Sequence, residues 1–303
     1  MKLTKQSEEF RIVTVNWNKP NLTIKCVKSF ISDHIPESNI IIVDNGSTDN
    51  SVNLLRESFP ASLIIESTVN LGFAGGFNLG IKEALSHDAS YVFMVNNDTE
   101  ITKGMMVNLL TVSKEVHADI SAPAIYYADQ SNELWSAGGY FNKFLSAPID
   151  AHRRDKHLPQ EPVKREFLTG CALLINSKVF ETIGFFDERF FLYYEDLDFN
   201  MRAHKAGLDL WLIPTAKLYH HVSASSENTH SDKVYYWMAH SSWLYFQKHA
   251  KVWQWIFILP WRIGHAIKTI VHIILQKKYR AIKAYLLGFL NIDHNRNEKL
   301  YSM

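Results

Sequence analysis

The feature that most constrains this chain is an alternation. Short runs of β-branched and aromatic residues recur along its first hundred positions: Arg11-Ile-Val-Thr-Val-Asn-Trp17, Ile40-Ile-Ile-Val-Asp44, Leu63-Ile-Ile65 and Tyr91-Val-Phe-Met-Val95. Helical patterns lie between them. Leu22, Cys26, Val27, Phe30 and Ile31 follow Lys19-Pro20, a helix start with proline in its first turn. Val52, Leu55 and Phe59 mark a second helix, and Ile81, Ala84 and Leu85 a third. Continuous apolar strands are buried on both faces, and strand–helix–strand repeats build a parallel sheet. The expected fold class is α/β, with a doubly wound, mostly parallel central sheet.

Beyond residue 100 the pattern loosens. A helix is expected over 103–116 and a strand over 120–126. Residues 128–164 carry Trp135 and Gly138-Gly139 without a clear period, and the polar run 150–162 reads as an exposed, mobile loop. A strand over 166–175 follows, then a short helix capped by Ser177 and ended by Gly184. Another helix starts at Glu195-Asp-Leu-Asp198 and stops at Ala206, with Gly207 beyond it. Strands over 210–213 and 216–220 come next.

The last seventy residues differ in texture, so residues 1–234 are expected to form one domain and 235–303 a C-terminal helical appendage. Trp253, Trp255, Ile256, Phe257, Leu259 and Trp261 are crowded together and broken by Pro260. Ile263, Ile267, Ile270, Val271 and Ile274 then share one helical face, with Lys268, Lys277, Lys278, Arg280 and Lys283 nearby. Such a pattern fits an interfacial helix lying on an anionic membrane. It equally fits a helical pair packed on the main domain or at a dimer contact. No stretch of eighteen residues lacks charge, so no spanning helix is expected. Residues 1–11 contain no apolar core of a secretory signal, and Cys26 and Cys171 fit neither a disulfide framework nor a metal spacing. Both point to a cytoplasmic protein. A net charge of +1 argues against bulk attraction to nucleic acid.

Acidic residues recur where chemistry is expected in α/β proteins, just past the carboxyl ends of strands. The run at Tyr91 ends in Asn96-Asn97-Asp98, which either caps the next helix or holds a divalent metal against a diphosphate. Asp44 either contacts a nucleotide or holds its own turn through Ser47. Glu195-Asp196 either caps a helix or supplies a base that takes a proton from an attacking hydroxyl. His220 and His221 close a strand and offer a nitrogen ligand, which favours Mn²⁺ over Mg²⁺. The glycine-rich run Gly72–Gly80 lacks both the dinucleotide fingerprint and the P-loop spacing.

Together these stretches resemble family 2 of the inverting glycosyltransferases, which has the GT-A nucleotide-sugar transferase fold. The matching segments are Val13-Thr-Val-Asn-Trp-Asn18, Val43-Asp-Asn-Gly-Ser-Thr-Asp49, Asn70-Leu-Gly-Phe-Ala-Gly-Gly-Phe-Asn78, Val95-Asn-Asn-Asp-Thr99, Phe167-Leu-Thr-Gly-Cys171, Tyr194-Glu-Asp-Leu-Asp198 and His220-His-Val-Ser-Ala-Ser225. They occur in the family's order and look most like bacterial rhamnosyltransferase-like members. The resemblance implies donor contacts at Asn16, Asp44, Asn70, Gly72, Gly75, Gly76, Asn78, Asn96 and Asn97. It implies Mn²⁺ or Mg²⁺ at Asp98 and His220, Asp196 as catalytic base beside Glu195, and an acceptor side near Gly170 and Trp135. Asn96 departs from the family's usual aspartate. The implied reaction moves a sugar from a dTDP- or UDP-linked donor to a glycan or lipid-linked acceptor, at the inner face of the cytoplasmic membrane. The competing readings are a nucleotidyltransferase, which would release pyrophosphate, and a non-catalytic nucleotide-sugar-binding protein.

Overall fold

The computed structural model describes residues 9–129, 133–151, 158–222 and 232–291. Strands β1 (Phe10–Asn16), β2 (Ile40–Asn45), β3 (Leu63–Ser67) and β4 (Tyr91–Val95) alternate with helices α1 (Pro20–Ser32), α2 (Ser51–Ser58) and α3 (Gly72–Ser86). β1 pairs in parallel with β2 and β4, and β2 with β3. Side-chain alternation divides each strand between two cores. Ile12, Ile40, Ile42, Phe93 and Val95 pack with Val27, Phe30, Leu55 and Phe59, and with Leu109 of α4 (Met105–Glu115). Val13, Ile41, Val43, Val92 and Met94 pack with Ala74, Phe77 and Ile81 of α3. Each of these ten strand residues is at most 1% exposed, which is why the strands read as unbroken apolar runs.

Downstream come β5 (Thr99–Ile101), β6 (Ile120–Tyr127), β7 (Leu134–Ser136), β8 (Gly139–Phe141), β9 (Pro148–Asp150), β10 (Val163–Arg165) and β11 (Ala172–Asn176). Helices α5 (Ser177–Ile183) and α6 (Glu195–Lys205) and strand β12 (Leu210–His220) follow. Among the described residues the main sheet runs β10-β12-β6-β11-β4-β1-β2-β3, with β5 on β12 and β7 on β6. It is parallel from β3 to β4 and mixed beyond, where β11 lies antiparallel to both β4 and β6.

Several local expectations are corrected. The strand expected over 166–175 is confined to β11, because the preceding backbone bonds elsewhere. Phe167 bridges Gly139, Leu168 exchanges hydrogen bonds with the Asn200 side chain, and Gly170 N–H donates to Asp196. Asn176, not Ser177, caps α5, its side chain accepting from Lys178 N at 3.0 Å. The two strands expected over 210–220 are one, with its register shifted between Ile213 and Lys217. Within the expected loop 150–162, Asp150 belongs to β9 and Ala151 is buried, whereas residues 152–157 lie outside the described residues.

The C-terminal region folds as α7 (Asp232–His249), α8 (Trp255–Leu275) and α9 (Tyr279–Phe289). The boundary expected after residue 234 falls inside α7. Pro260 does not break α8 but sits within it. Tyr235, Ala239, Ala266, Ile273, Ala281 and Tyr285 form a core among the three helices. A Cβ on Gly288 would lie 2.3 Å from Tyr236 O, so glycine lets α9 approach α7 closely. Phe167, Phe190, Leu197 and Met201 pack with Tyr245, Phe246 and Ile258, tying the helices to the sheet-bearing part. Among the described residues one helix, Val252–Leu275, has the length and apolar content to cross a membrane, against the expectation of none. Arg262 and Lys268 interrupt that run, and its buried positions Ile258, Arg262, Ala266 and Ile273 face the protein.

Candidate active site

The strand order turns between β1 and β4, and in such sheets a crevice opens beyond the carboxyl ends at that point. A cleft of about 570 Å³ lies there. Its walls come from Trp17 after β1, Gly72 and Phe73 of α3, Asn96, Asn97 and Asp98 after β4, Thr169 and Gly170, Glu195 and Asp196 of α6, and His220 of β12. Asn70 and Trp135 complete it. Elements far apart in sequence thus bring most of the expected site residues to one place.

Asp98 and His220 form the first pair. The β5–β12 ladder sets Thr99 opposite His220, so that Asp98 Oδ1 stands 3.1 Å from His220 Nε2. Both side chains are buried, and His220 Nδ1 has no hydrogen-bond partner among the described residues. The Trp135 ring meets the imidazole edge-on, with centroids 4.5 Å apart. His221 turns away to the Glu100 carboxylate, which also pairs with Lys25 at 2.5 Å. No group of three or more His, Cys, Asp or Glu that could hold a metal occurs among the described residues. A carboxylate oxygen and an imidazole nitrogen fit Mn²⁺ or Mg²⁺ only when other oxygens complete the shell.

Asp196 and Glu195 form the second group. Tyr193 and Tyr194 precede them with φ of 67° each, a left-handed conformation that costs a bulky residue about 1–3 kcal/mol. That turn starts α6 with its acidic pair directed into the cleft. Asp196 accepts hydrogen bonds from Gly170 N at 2.9 Å and Leu197 N at 2.7 Å. Burial nonetheless raises its pKa above the ordinary aspartate value, against these bonds. Glu195 is buried with Oε2 unpartnered among the described residues; burial, then the Asp196 charge, push its pKa well up.

Other expected donor residues stand behind the wall and hold it. Asp44 is buried, accepting from Asn16 Nδ2 at 2.8 Å and from Ser47 N and Oγ at 2.9 and 2.7 Å. Asn16 accepts in turn from Thr23 Oγ1, which accepts from Asn97 Nδ2. One hydrogen-bonded chain therefore links the turn after β2 to the Asn-Asn-Asp turn after β4. Asn78 holds the loop at Phe186 and Glu188. A Cβ on Gly75 would lie 2.6 Å from Leu71 Cβ, and one on Gly76 3.0 Å from Asn45 Nδ2, so both glycines serve close packing. Asn70 and Gly72 do reach the cleft, Gly72 with φ of 72°. Sequence reasoning missed Asn45, whose side chain fixes Asn70, Leu71 and Gly72. Its place beside Asp44 at a strand end was the available signal. Trp17, Phe73, Phe191 and Tyr193 also line the cleft; Trp17 and Phe73 lie inside the family-like segments, whereas Phe191 and Tyr193 carried no signal. The expected motif at 220–225 is described only as far as Val222.

A second cavity of about 510 Å³ lies between this site and the C-terminal helices. It shares Trp135, Thr169, Tyr193 and Asp196 with the first, so Asp196 stands on the common wall.

Residues 11–184 match the family described as Glycosyl transferase family 2. The chain is 24% identical over 281 residues to the N-acetylglucosaminyl-diphospho-decaprenol L-rhamnosyltransferase of Mycobacterium tuberculosis, covering 84% of this chain and 89% of that one. It is 29% identical over 212 residues to the low-salt glycan biosynthesis hexosyltransferase Agl10 of Haloferax volcanii, covering 67% and 64%. It is 23% identical over 210 residues to the dTDP-rhamnosyl transferase RfbF of Shigella flexneri, covering 68% of each. Among solved structures, S. aureus TarS 1-349 superposes with a TM-score of 0.54 at 15% identity, over 96% of this chain and 92% of that one. GalNAc-T7, solved with UDP, GalNAc and Mn²⁺, gives 0.56 at 14% identity, over 70% and 42%. With the family match spanning more than half of its length, the chain belongs to glycosyl transferase family 2: it is a glycosyltransferase of the GT-A fold.

Proposed function

We propose that this glycosyltransferase moves a sugar, rhamnose or another hexose, with inversion, from a dTDP- or UDP-linked donor to a hydroxyl of a glycan or lipid-linked acceptor in cell-surface polysaccharide synthesis. The observation that carries this reading is the position of Asp196 on the wall between two cavities. One bears the Asp98–His220 pair, and the other leads toward the C-terminal helices. The donor takes the first and the acceptor the second. The rhamnosyltransferase names among the relatives support the choice of sugar.

Asp196 takes the proton of the acceptor hydroxyl as its oxygen attacks the anomeric carbon. A bond forms to that carbon while the bond to the diphosphate breaks on the opposite face, which inverts the configuration. The N–H groups of Gly170 and Leu197 hold the carboxylate in place. Its raised pKa makes it a stronger base once ionised. Glu195, whose carboxyl pKa is pushed well up by burial and then by the Asp196 charge, lines the same cleft. Asp98 and His220 would hold Mn²⁺ or Mg²⁺, with diphosphate oxygens completing the shell; that ion, when bound, supplies positive charge against the leaving group. Asn96 and Asn97 contribute neutral side chains where a second acid is absent.

The exposed face of α8, with Ile256 70% and Leu275 76% exposed, rests on the membrane surface. Lys268, Lys277, Lys278, Arg280 and Lys283 favour an anionic leaflet there, placing the enzyme on the inner face of the cytoplasmic membrane.

A binding screen of nucleotide sugars with and without Mn²⁺, followed by turnover, tests the reading. Asp196→Asn should keep donor binding and lose ~10²–10⁴-fold in transfer. Near-normal turnover in that variant, or pyrophosphate as product, would sink it.

A further inference from the structure

The second cavity contains a charge that the proposed chemistry does not use. Arg262, on α8, lines it and is 3% exposed. Three aromatic rings, Trp243, Phe246 and Phe289, lie 5.1, 5.7 and 4.9 Å from its guanidinium carbon. They solvate the cation through π faces. Nη1 donates to Ser242 Oγ, which lines the same cavity. Among the described residues Nε and Nη2 have no hydrogen-bond partner, and no carboxylate pairs with Arg262. A buried guanidinium without a counter-ion is costly, and its planar fork matches phosphate oxygens in pairs.

The rest of the cavity says what the anion is attached to. Its walls are largely aromatic and apolar, with Phe167, Met238, Trp261, Tyr285 and Phe289 among them. Trp261, the neighbour of Arg262, is 37% exposed and joins the cavity to the apolar outer face of α8. At its other end the cavity reaches Asp196. A ligand filling it would place a hydroxyl at Asp196, an anion at Arg262 and an apolar chain toward Trp261.

We propose that Arg262 is the anion-binding residue of the acceptor site, and that it takes the phosphate or diphosphate ester joining the acceptor sugar to an apolar chain. This rests on the reading of the second cavity as the acceptor side. The C-terminal helices then form one wall of the substrate site as well as a surface for the membrane.

The test is binding of farnesyl diphosphate, farnesol and inorganic pyrophosphate to the full chain, by calorimetry with nucleoside diphosphate and Mg²⁺ held saturating. Farnesyl diphosphate should bind more tightly than either of the others. Arg262→Gln should weaken it ~10- to 100-fold and leave farnesol unchanged, while Arg262→Lys should restore part of the loss. Equal binding of farnesol overturns the anion site, and equal binding of pyrophosphate overturns the apolar arm. The wild-type comparison stands even if Arg262→Gln fails to fold. Asp98→Ala separates this proposal from the donor reading: it should weaken the nucleotide and leave farnesyl diphosphate binding intact. Retained nucleotide-sugar binding without a preference for the prenyl diphosphate refutes the acceptor site alone.

Discussion

Gly170→Ala tests the geometry around Asp196 with a single methyl group. The glycine N–H donates to Asp196 Oδ2 at 2.9 Å, and a Cβ at this position would stand 2.9 Å from Asp196 Cβ. Ordinary contact begins at 3.4 Å, so the loop and the first turn of α6 must part by about half an ångström. Neither side yields easily. Gly170 is two residues from the start of β11, inside the sheet, and Asp196 follows two left-handed tyrosines that fix its approach. Misplacing a catalytic group by about 1 Å costs ~10²-fold in rate, so the variant should lose ~10-fold in kcat. Asp196→Asn sets the lower limit. The assay is acceptor-dependent release of nucleoside diphosphate at saturating donor, with nucleotide binding measured alongside. The expected result is a lower kcat with unchanged nucleotide affinity. A folded Gly170→Ala enzyme with the wild-type kcat would refute the claim that this contact sets the position of Asp196.

Asp98→Ala and His220→Ala should each weaken metal-dependent nucleotide binding by ~10-fold or more, whereas His221→Ala, committed to Glu100, should not; equal effects of the two histidines in calorimetry would count against the pair. Asp198 is fully buried and joined to Arg202 at 2.8 Å, Lys248 at 2.7 Å and His249 at 2.7 Å, so Asp198→Ala should cost ~3–5 kcal/mol in denaturant unfolding. Burial alone would raise the Asp198 pKa, but the His249 hydrogen bond and the Arg202 charge bring it below the ordinary value. Its stabilisation is therefore present above pH ~4 and lost as pH falls through the lowered pKa; a wild-type acid transition no steeper than that of Asp198→Asn would contradict this. On α8, Ile256→Glu with Leu275→Glu should reduce flotation with phosphatidylglycerol vesicles by ~10-fold or more; unchanged flotation, or a monomer appearing where the wild type is a dimer, would assign that face to another partner.

The alternation over the first hundred residues determined the parallel half of the sheet. Residues such as Ile12, Val43 and Val92 need burial on both faces, and only helices above and below the sheet provide it. The same local physics placed Asn96–Asp98 at a strand end and Glu195-Asp196 at a helix start. The short strands β7 to β10 were not legible, because three residues carry no period and their pairing partners are distant. Segment 166–171 was misread for a related reason. Its apolar residues suit a strand, yet Asn200 and Asp196 take its hydrogen bonds, and both belong to a helix reached only in three dimensions.

What tertiary structure alone decided is which strand-end residues line the cleft. Asp44 and Asp98 look alike in sequence. Asp44 is enclosed by Asn16 and Ser47, whereas Asp98 faces His220 because β5 pairs with β12. Helix α8 likewise reads as an amphipathic surface element. Packing against α7 and α9 turns Arg262 inward and makes that helix a wall of the cavity that ends at Asp196. Sequence sets which side chains a local segment presents; long-range packing sets what they face, and the chemistry depends on the second.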